Sequence, residues 1–372
     1  MSFEPFAMER WQSIWENRVR FNLSESGVHP LSVAELLELV GASVDQVAAA
    51  RLGYPGTNGS PALRAAIAAL YPGATADHVL VTNGSAEANF CACWRFVGPG
   101  DRVAVVMPTY MQTWGLARNF GAEVEPIWLR EELGWQPDPE DIAAAIAPGT
   151  RLIVVTNPNN PTGAVLSREA GEAIVRRAEA TGAWILADEV YQGAEQEGGP
   201  TMSFWGRAER VLLTNGLSKA YGLPGLRIGW CVAPPDVVAE LWARKDYTTI
   251  GPSVVSDALA SLALQPAARG RLLARTRAIL RANWPALERW LAARPALAWR
   301  APDAGAICYV RYASAVASAE LAERMRRDHD VLLVPGAQFG MGPYLRIGFG
   351  SPAAVLEPAL ARVGAALDAV AG

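Results

Sequence analysis

Seven short apolar runs alternate with stretches of helical pattern between about residues 60 and 290, at 78–84, 102–108, 123–129, 151–157, 183–190, 210–216 and 227–233. Their interiors, such as Leu152-Ile153-Val154-Val155 and Val103-Ala104-Val105-Val106, show no alternation of polar and apolar residues. A strand that is apolar on both sides must be covered on both sides. A parallel sheet between two layers of helices provides that cover. Parallel neighbours need crossover connections, which are right-handed, so the pattern predicts an α/β fold. In open sheets of this kind ligands bind beyond the carboxyl ends of the strands. Polar and glycine residues collect there, at Asn83-Gly84-Ser85, Pro108-Thr109-Tyr110, 157–163 and Asp188-Glu189-Val190-Tyr191.

The rest of the chain reads differently. Residues 255–294 carry a long helical pattern broken at Gln265-Pro266. Beyond it, strands near 299–312, 331–335 and 344–349 and helices at 318–328 and at the end suggest a smaller α+β unit. The first 45 residues fit neither pattern and are expected to pack with the C-terminal part. The expected division is a large domain over 46–285 and a small one made of 1–45 and 286–372. Of the 372 residues, 51% are hydrophobic and 19% charged, enough for large cores. A net charge of −4 without a basic block argues against nucleic acid or an anionic membrane as partner. No apolar stretch reaches the ~18–20 residues of a membrane span. Acids stand among the first ten residues where a secretory signal has its basic and apolar regions. The expected location is the cytoplasm. Cys91, Cys93, Cys231 and Cys308 have no zinc-ligand spacing with one another or with the three histidines, so no metal is expected.

Only two of the 33 basic side chains are lysine, Lys219 and Lys245. Arginine replaces lysine almost everywhere, yet a guanidinium cannot lose its proton to attack carbon. Lys219 follows a predicted buried strand within Ser218-Lys219-Ala220-Tyr221-Gly222-Leu223-Pro224-Gly225-Leu226-Arg227. Partial desolvation there favours an amine that forms a Schiff base. Arg227, eight residues on, is placed to share its pocket, which suits an aldehyde cofactor bearing a phosphate.

Other strand ends add to this. Gly84-Ser85-Ala86 opens a helix, whose free N–H groups make an anion site. Tyr110 is placed to stack on a flat ring. The rigid loop Asn157-Pro158-Asn159-Asn160-Pro161-Thr162-Gly163 is polar. Asp188 ends an apolar run, as a helix N-cap or as the partner of a buried cation, with Tyr191 three residues on. Together these are the parts a pyridoxal phosphate site requires: an amine, a carboxylate for the ring nitrogen, donors for the phenolic oxygen and a phosphate cradle.

With these motifs in this order, the chain resembles the class I/II aminotransferases, the fold-type I pyridoxal-phosphate enzymes. Tyr54-Pro55-Gly56 and Tyr344-Leu345-Arg346-Ile347-Gly348-Phe349 extend the match toward both ends. The resemblance implies a large domain with a mostly parallel seven-stranded sheet, a smaller α+β domain and a homodimer. The implied reaction moves an amino group from an amino acid to a 2-oxo acid. By the same resemblance Lys219 carries the aldimine, Asp188 meets the pyridine nitrogen, and Asn160 and Tyr191 meet the phenolic oxygen. Tyr110 stacks on the ring. Gly84, Ser85, Ala86, Ser218 and Arg227 bind phosphate, joined by Tyr54 of the neighbouring subunit. Arg346 clamps the substrate carboxylate, and Pro108 and Pro161 fall where cis peptides are common. One departure is Gly216, where the family often has Ser or Thr on the phosphate; that hydrogen bond is either missing or replaced by Thr214, Asn215 or water. The segment Ser24-Glu25-Ser26-Gly27-Val28-His29 is locally similar to the capreomycidine synthase branch, which acts on a hydroxylated arginine by elimination and ring closure. On that reading Gly27 approaches the substrate carboxylate, and His29 is either a proton donor or a packed loop residue. Glu25 or Asp246 facing the substrate side chain would favour this branch.

Overall fold

A computed structural model describes residues 3–370. The apolar runs form β1 (Val79–Thr82), β2 (Arg102–Met107), β3 (Glu123–Arg130), β5 (Thr150–Thr156), β6 (Trp184–Asp188), β7 (Val211–Gly216) and β8 (Gly229–Val232), with a two-residue β4 (Gln136–Pro137) between β3 and β5. The sheet order is β1-β8-β7-β6-β5-β2-β3-β4. From β7 to β3 all neighbours are parallel; β8 runs against β7 and β1, and β4 runs against β3. The sheet thus has eight strands where seven are expected. The eighth folds Gln136–Pro137 back onto Leu129 and Arg130, too short to leave a pattern in the sequence.

Two separate cores explain why β5 does not alternate. Ile153 and Val155 pack into one apolar cluster, Leu152 and Val154 into another on the opposite face. Both faces of the strand are dry, as parallel sheets require. The four cysteines are buried and unpaired. Among the described residues no helix is long and apolar enough to cross a membrane, and no group of metal-ligating side chains converges.

A second, antiparallel sheet runs β9-β10-β12-β11, from β9 (Leu297–Trp299), β10 (Ile307–Tyr312), β11 (Val334–Pro335) and β12 (Tyr344–Gly348). The helical stretch before it divides into Val254–Ala263 and Pro266–Ala292, with Pro266 at the first helical position, where its missing N–H is harmless. The N-terminal segment lies against this region. Phe21–Asn22 pairs in parallel with Val331–Leu332, and Trp11 Nε1 donates to Leu333 O at 3.1 Å. Two helices, α1 (Ala7–Trp15) and α2 (Ser85–Phe96), flank the carboxyl ends of the large sheet's strands. The Met107–Pro108, Asn157–Pro158 and Asn160–Pro161 bonds are cis.

Candidate active site

Three strand ends lie side by side in one rung, Thr156 of β5 beside Asp188 of β6 beside Thr214 of β7. A cleft of about 370 Å³ opens over this edge. Its walls bring together Lys219, Asp188, Tyr191, Asn160, Tyr110, Ser85, Ala86, Ser218, Arg227 and Arg346, from points spread across most of the chain. Burial pushes the Asp188 carboxyl up, although Asn89 Nδ2 donates to its Oδ2 at 3.0 Å and Val190 N to its Oδ1 at 3.2 Å. Thr214 Oγ1 in turn holds Asn89 through a 2.8 Å bond to Oδ1. A carboxylate so buried and without a cation suits the protonated nitrogen of a heteroaromatic ring.

The anion cradle is set by close packing. Gly84 caps α2 with φ +83°, and the Arg227 guanidinium lies where a β-carbon on Gly84 would stand. A β-carbon on Gly229 of β8 would overlap Gly84 and the Ser85 amide, so the start of α2 rests directly on the sheet. Gly216, paired with Gly229, fits the same packing: its β-carbon would come within 3.0 Å of Ile228 O. The replacements suggested for its hydroxyl are otherwise engaged. Thr214 holds Asn89, and Asn215 Oδ1 accepts from the Gly216 amide at 2.7 Å.

Arg346 is fully buried and reaches the cleft from β12. Its Nη1 donates to Asn160 Oδ1 at 2.8 Å, its Nη2 donates to Ser24 O, and its Nε has no partner. Arg346 lines the cleft, and a guanidinium there suits a carboxylate. Tyr191 donates to Ser26 Oγ at 2.8 Å, and Tyr110 donates to Glu9 Oε1 at 2.8 Å.

Some sequence-based candidates lie outside the cleft wall. His29 is not in the cleft wall. Its Nδ1 lies 3.1 Å from Gly350 O, and its backbone carbonyl accepts from Arg275 Nη2, so it is held as a packed loop residue. Gly27 is not in the cleft wall; it packs on Lys219, whose Cα lies 3.6 Å from a notional β-carbon there. Tyr54, expected to act from the neighbouring subunit, is 88% exposed and stands outside this chain's own cleft. Asp246 is also absent from the cleft wall, whereas Glu25 is in it.

Sequence reasoning missed Glu9, Gln12 and Glu16, which face the cleft from α1 and its C-terminal cap, and Asn89 beneath Asp188. The spacing 9, 12, 16 is one face of a helix, a signal that was present in the sequence. Burial, with Glu25 and Glu9 nearby, raises the Glu16 carboxyl. The Glu25 carboxyl is lowered, chiefly by Lys219, whose Nζ lies 3.4 Å from its Oε2.

Residues 32–363 match the aminotransferase class I and II family. The chain belongs to the class I and II aminotransferases. These aminotransferases use pyridoxal 5′-phosphate, and the buried Asp188, the Gly84–Arg227 cradle and Lys219 fit that group. This aminotransferase-family chain is 34% identical to capreomycidine synthase of Streptomyces vinaceus, over 96% of the chain and 92% of that protein. It is 30% identical to arginine–pyruvate transaminase of Pseudomonas aeruginosa, over 87% and 85%. A pyridoxal-phosphate-dependent aminotransferase structure from Streptococcus suis superposes with a TM-score of 0.94 at 33% identity, each chain covered completely.

Proposed function

We propose that this protein transfers the α-amino group of an amino acid with a cationic side chain to a 2-oxo acid. One observation carries the substrate class: three carboxylates, Glu9, Glu16 and Glu25, line a single small cleft beside Lys219. On the family roles, Arg227 takes the phosphate, Asp188 the ring nitrogen and Arg346 the substrate carboxylate. Those assignments use up the cleft's arginines; Glu25 lies against Lys219, and Glu9 and Glu16 are left facing the substrate side chain. An acidic side chain would be repelled there, and an apolar one would strand charges.

Pyridoxal phosphate supplies an electron sink when bound. The chain's own residues do the rest. Asp188, fixed by Asn89 and Val190, would hold the ring nitrogen protonated. Tyr191 and Asn160 would hold the phenolic oxygen, and Lys219 would move the proton at the substrate carbon. Arg346 fixes the substrate by its α-carboxylate, with Asn160 and Ser24 holding the guanidinium in place. Tyr54 sits beside the equally exposed Leu52, and Tyr247 is exposed too, which supports a homodimer in which Tyr54 reaches the partner's cleft. The unpaired, buried cysteines accord with the cytoplasm.

A second reading is elimination and ring closure on a hydroxylated arginine. It is favoured by the likeness to capreomycidine synthase along 96% of the chain and by Glu25 facing the cleft. A half-reaction without a 2-oxo acid tests both. The holoenzyme is mixed with arginine, lysine, ornithine, hydroxyarginine, aspartate and leucine, and the visible band and products are followed. Loss of the band with release of one 2-oxo acid, fastest for a cationic donor, is expected. Faster conversion of aspartate or leucine would refute the substrate class. A band that recovers, with a dehydrated or cyclised product, would establish the second reading.

A further inference from the structure

Lys219 Nζ has one hydrogen-bonding neighbour among the described residues, the Glu25 carboxylate, at 3.4 Å to Oε2 and 3.5 Å to Oε1. Glu25 does not arrive there on a loose loop. Ser24 before it is gripped through its carbonyl by Arg346 and by Gln12 Nε2, the latter at 2.9 Å. Ser26 after it accepts from Tyr191. Gly27 packs on the backbone and Cδ of Lys219, each 3.6 Å from a notional β-carbon. The backbone on both sides of Glu25 is therefore pinned to cleft residues. The Glu25 side chain is 46% accessible, and it faces the cleft rather than the outer surface.

We propose that Glu25 is a catalytic carboxylate whose charge favours a proton on the Lys219 nitrogen when that nitrogen is bonded to the cofactor. This rests on the reading of the cleft as a pyridoxal phosphate site and deepens it. Glu25 makes and breaks no bond; its negative charge, 3.4 Å from Nζ, holds the proton on the nitrogen.

The surrounding charges agree. Burial opposes a charge on Lys219, but Glu25, Tyr191 and Glu9 outweigh it together with the opposing Arg346, and the amine is raised. Glu25 is lowered by Lys219 first and by Arg346 less, against burial. Glu16 faces Glu25 with like charge and is raised. The three glutamates therefore divide. Glu25 is matched by the Lys219 nitrogen, and Glu9 and Glu16 are left for the cationic side chain.

The test reads the cofactor's own absorption. Purified protein is reconstituted with pyridoxal phosphate, and its visible band is titrated across the pH range in which the protein stays folded. In Glu25→Gln the pH of the transition should fall by about one to three units, the range for losing an opposite charge in contact. Glu25→Asp should fall between the two, and it carries the test if the glutamine variant does not take up cofactor. A transition in Glu25→Gln that coincides with wild type would overturn the proposal. So would an equal fall in Glu16→Gln, which would show a general effect of cleft charge. If wild type develops no visible band, the cofactor reading itself fails, an outcome distinct from a band with an unmoved transition.

Discussion

Glu189 stands next to Asp188 in the chain and is fully buried, with its Oε1 accepting from Phe204 N at 2.8 Å and from Ser203 Oγ at 3.0 Å. Its Oε2 has no partner. Burial pushes this carboxyl up to about 8, against an ordinary value of 4.5. Between those values the folded protein holds a proton on Glu189 that the unfolded chain has released. Stability must then fall as pH rises through this window, by about 1.36 kcal/mol per pH unit. The gap from 4.5 to about 8 makes the whole effect on the order of 5 kcal/mol. Below about pH 4.5 the stabilisation is fully present, and above about 8 it is gone. Glu189→Gln keeps the shape and an acceptor but has no proton to release. Urea unfolding of holoenzyme and variant should therefore diverge with pH. The variant should gain on wild type by roughly 1.4 kcal/mol for each unit between about pH 5 and 8, then run parallel to it. A difference that stays constant across this window would refute the reasoning, because it would mean that Glu189 titrates alike in both states.

Three other substitutions probe the cleft and its supports. Gly84→Ala places a β-carbon in the Arg227 guanidinium at a φ of +83°, and should weaken pyridoxal phosphate binding at least about tenfold in a titration of the visible band. Arg346→Lys loses the planar fork, and should raise KM for the amino donor by about tenfold or more while cofactor affinity stays within about twofold. Lys245→Met removes the ammonium that donates to Ile250 O at 2.7 Å and to Thr57 O at 3.3 Å. Leaving these carbonyls unmet should lower stability by about 2–4 kcal/mol in urea unfolding and loosen the segment that carries Tyr54.

The large sheet was legible because its physics is local. A strand buried on both faces, like β5, has no choice but a continuous apolar run, and the sequence shows it as such. The cofactor bed was legible for a related reason. Lys219, Asp188 and the glycines stand at strand ends, where a polar residue interrupts apolar pattern. The acidic wall was legible only as a spacing. Glu9, Gln12 and Glu16 share one helix face, which alone would be solvated, and only the docking of α1 over the cleft turns that face inward. Asn89 is polar in the middle of a helix and could equally have faced water; its meeting with Asp188 depends on α2 lying on β7 and β8. His29 shows the converse. Its chemistry suggested a proton donor, but Gly350 and Arg275, far away in sequence, hold it out of the cleft.

The seat for the phosphate and the ring belongs to the sheet. Gly216 and Gly229 are paired across two strands, and the start of α2 rests on them without an intervening side chain. The acidic residues that face the substrate side chain belong instead to one N-terminal strap, which is fastened to the second sheet's side of the molecule through Phe21, Asn22 and the Ser24 carbonyl. Recognition of the donor and retention of the cofactor are therefore separable inheritances. A new strap between residues 7 and 28 can present different charges to the same bed, so that one scaffold can change what it consumes while keeping how it does the chemistry.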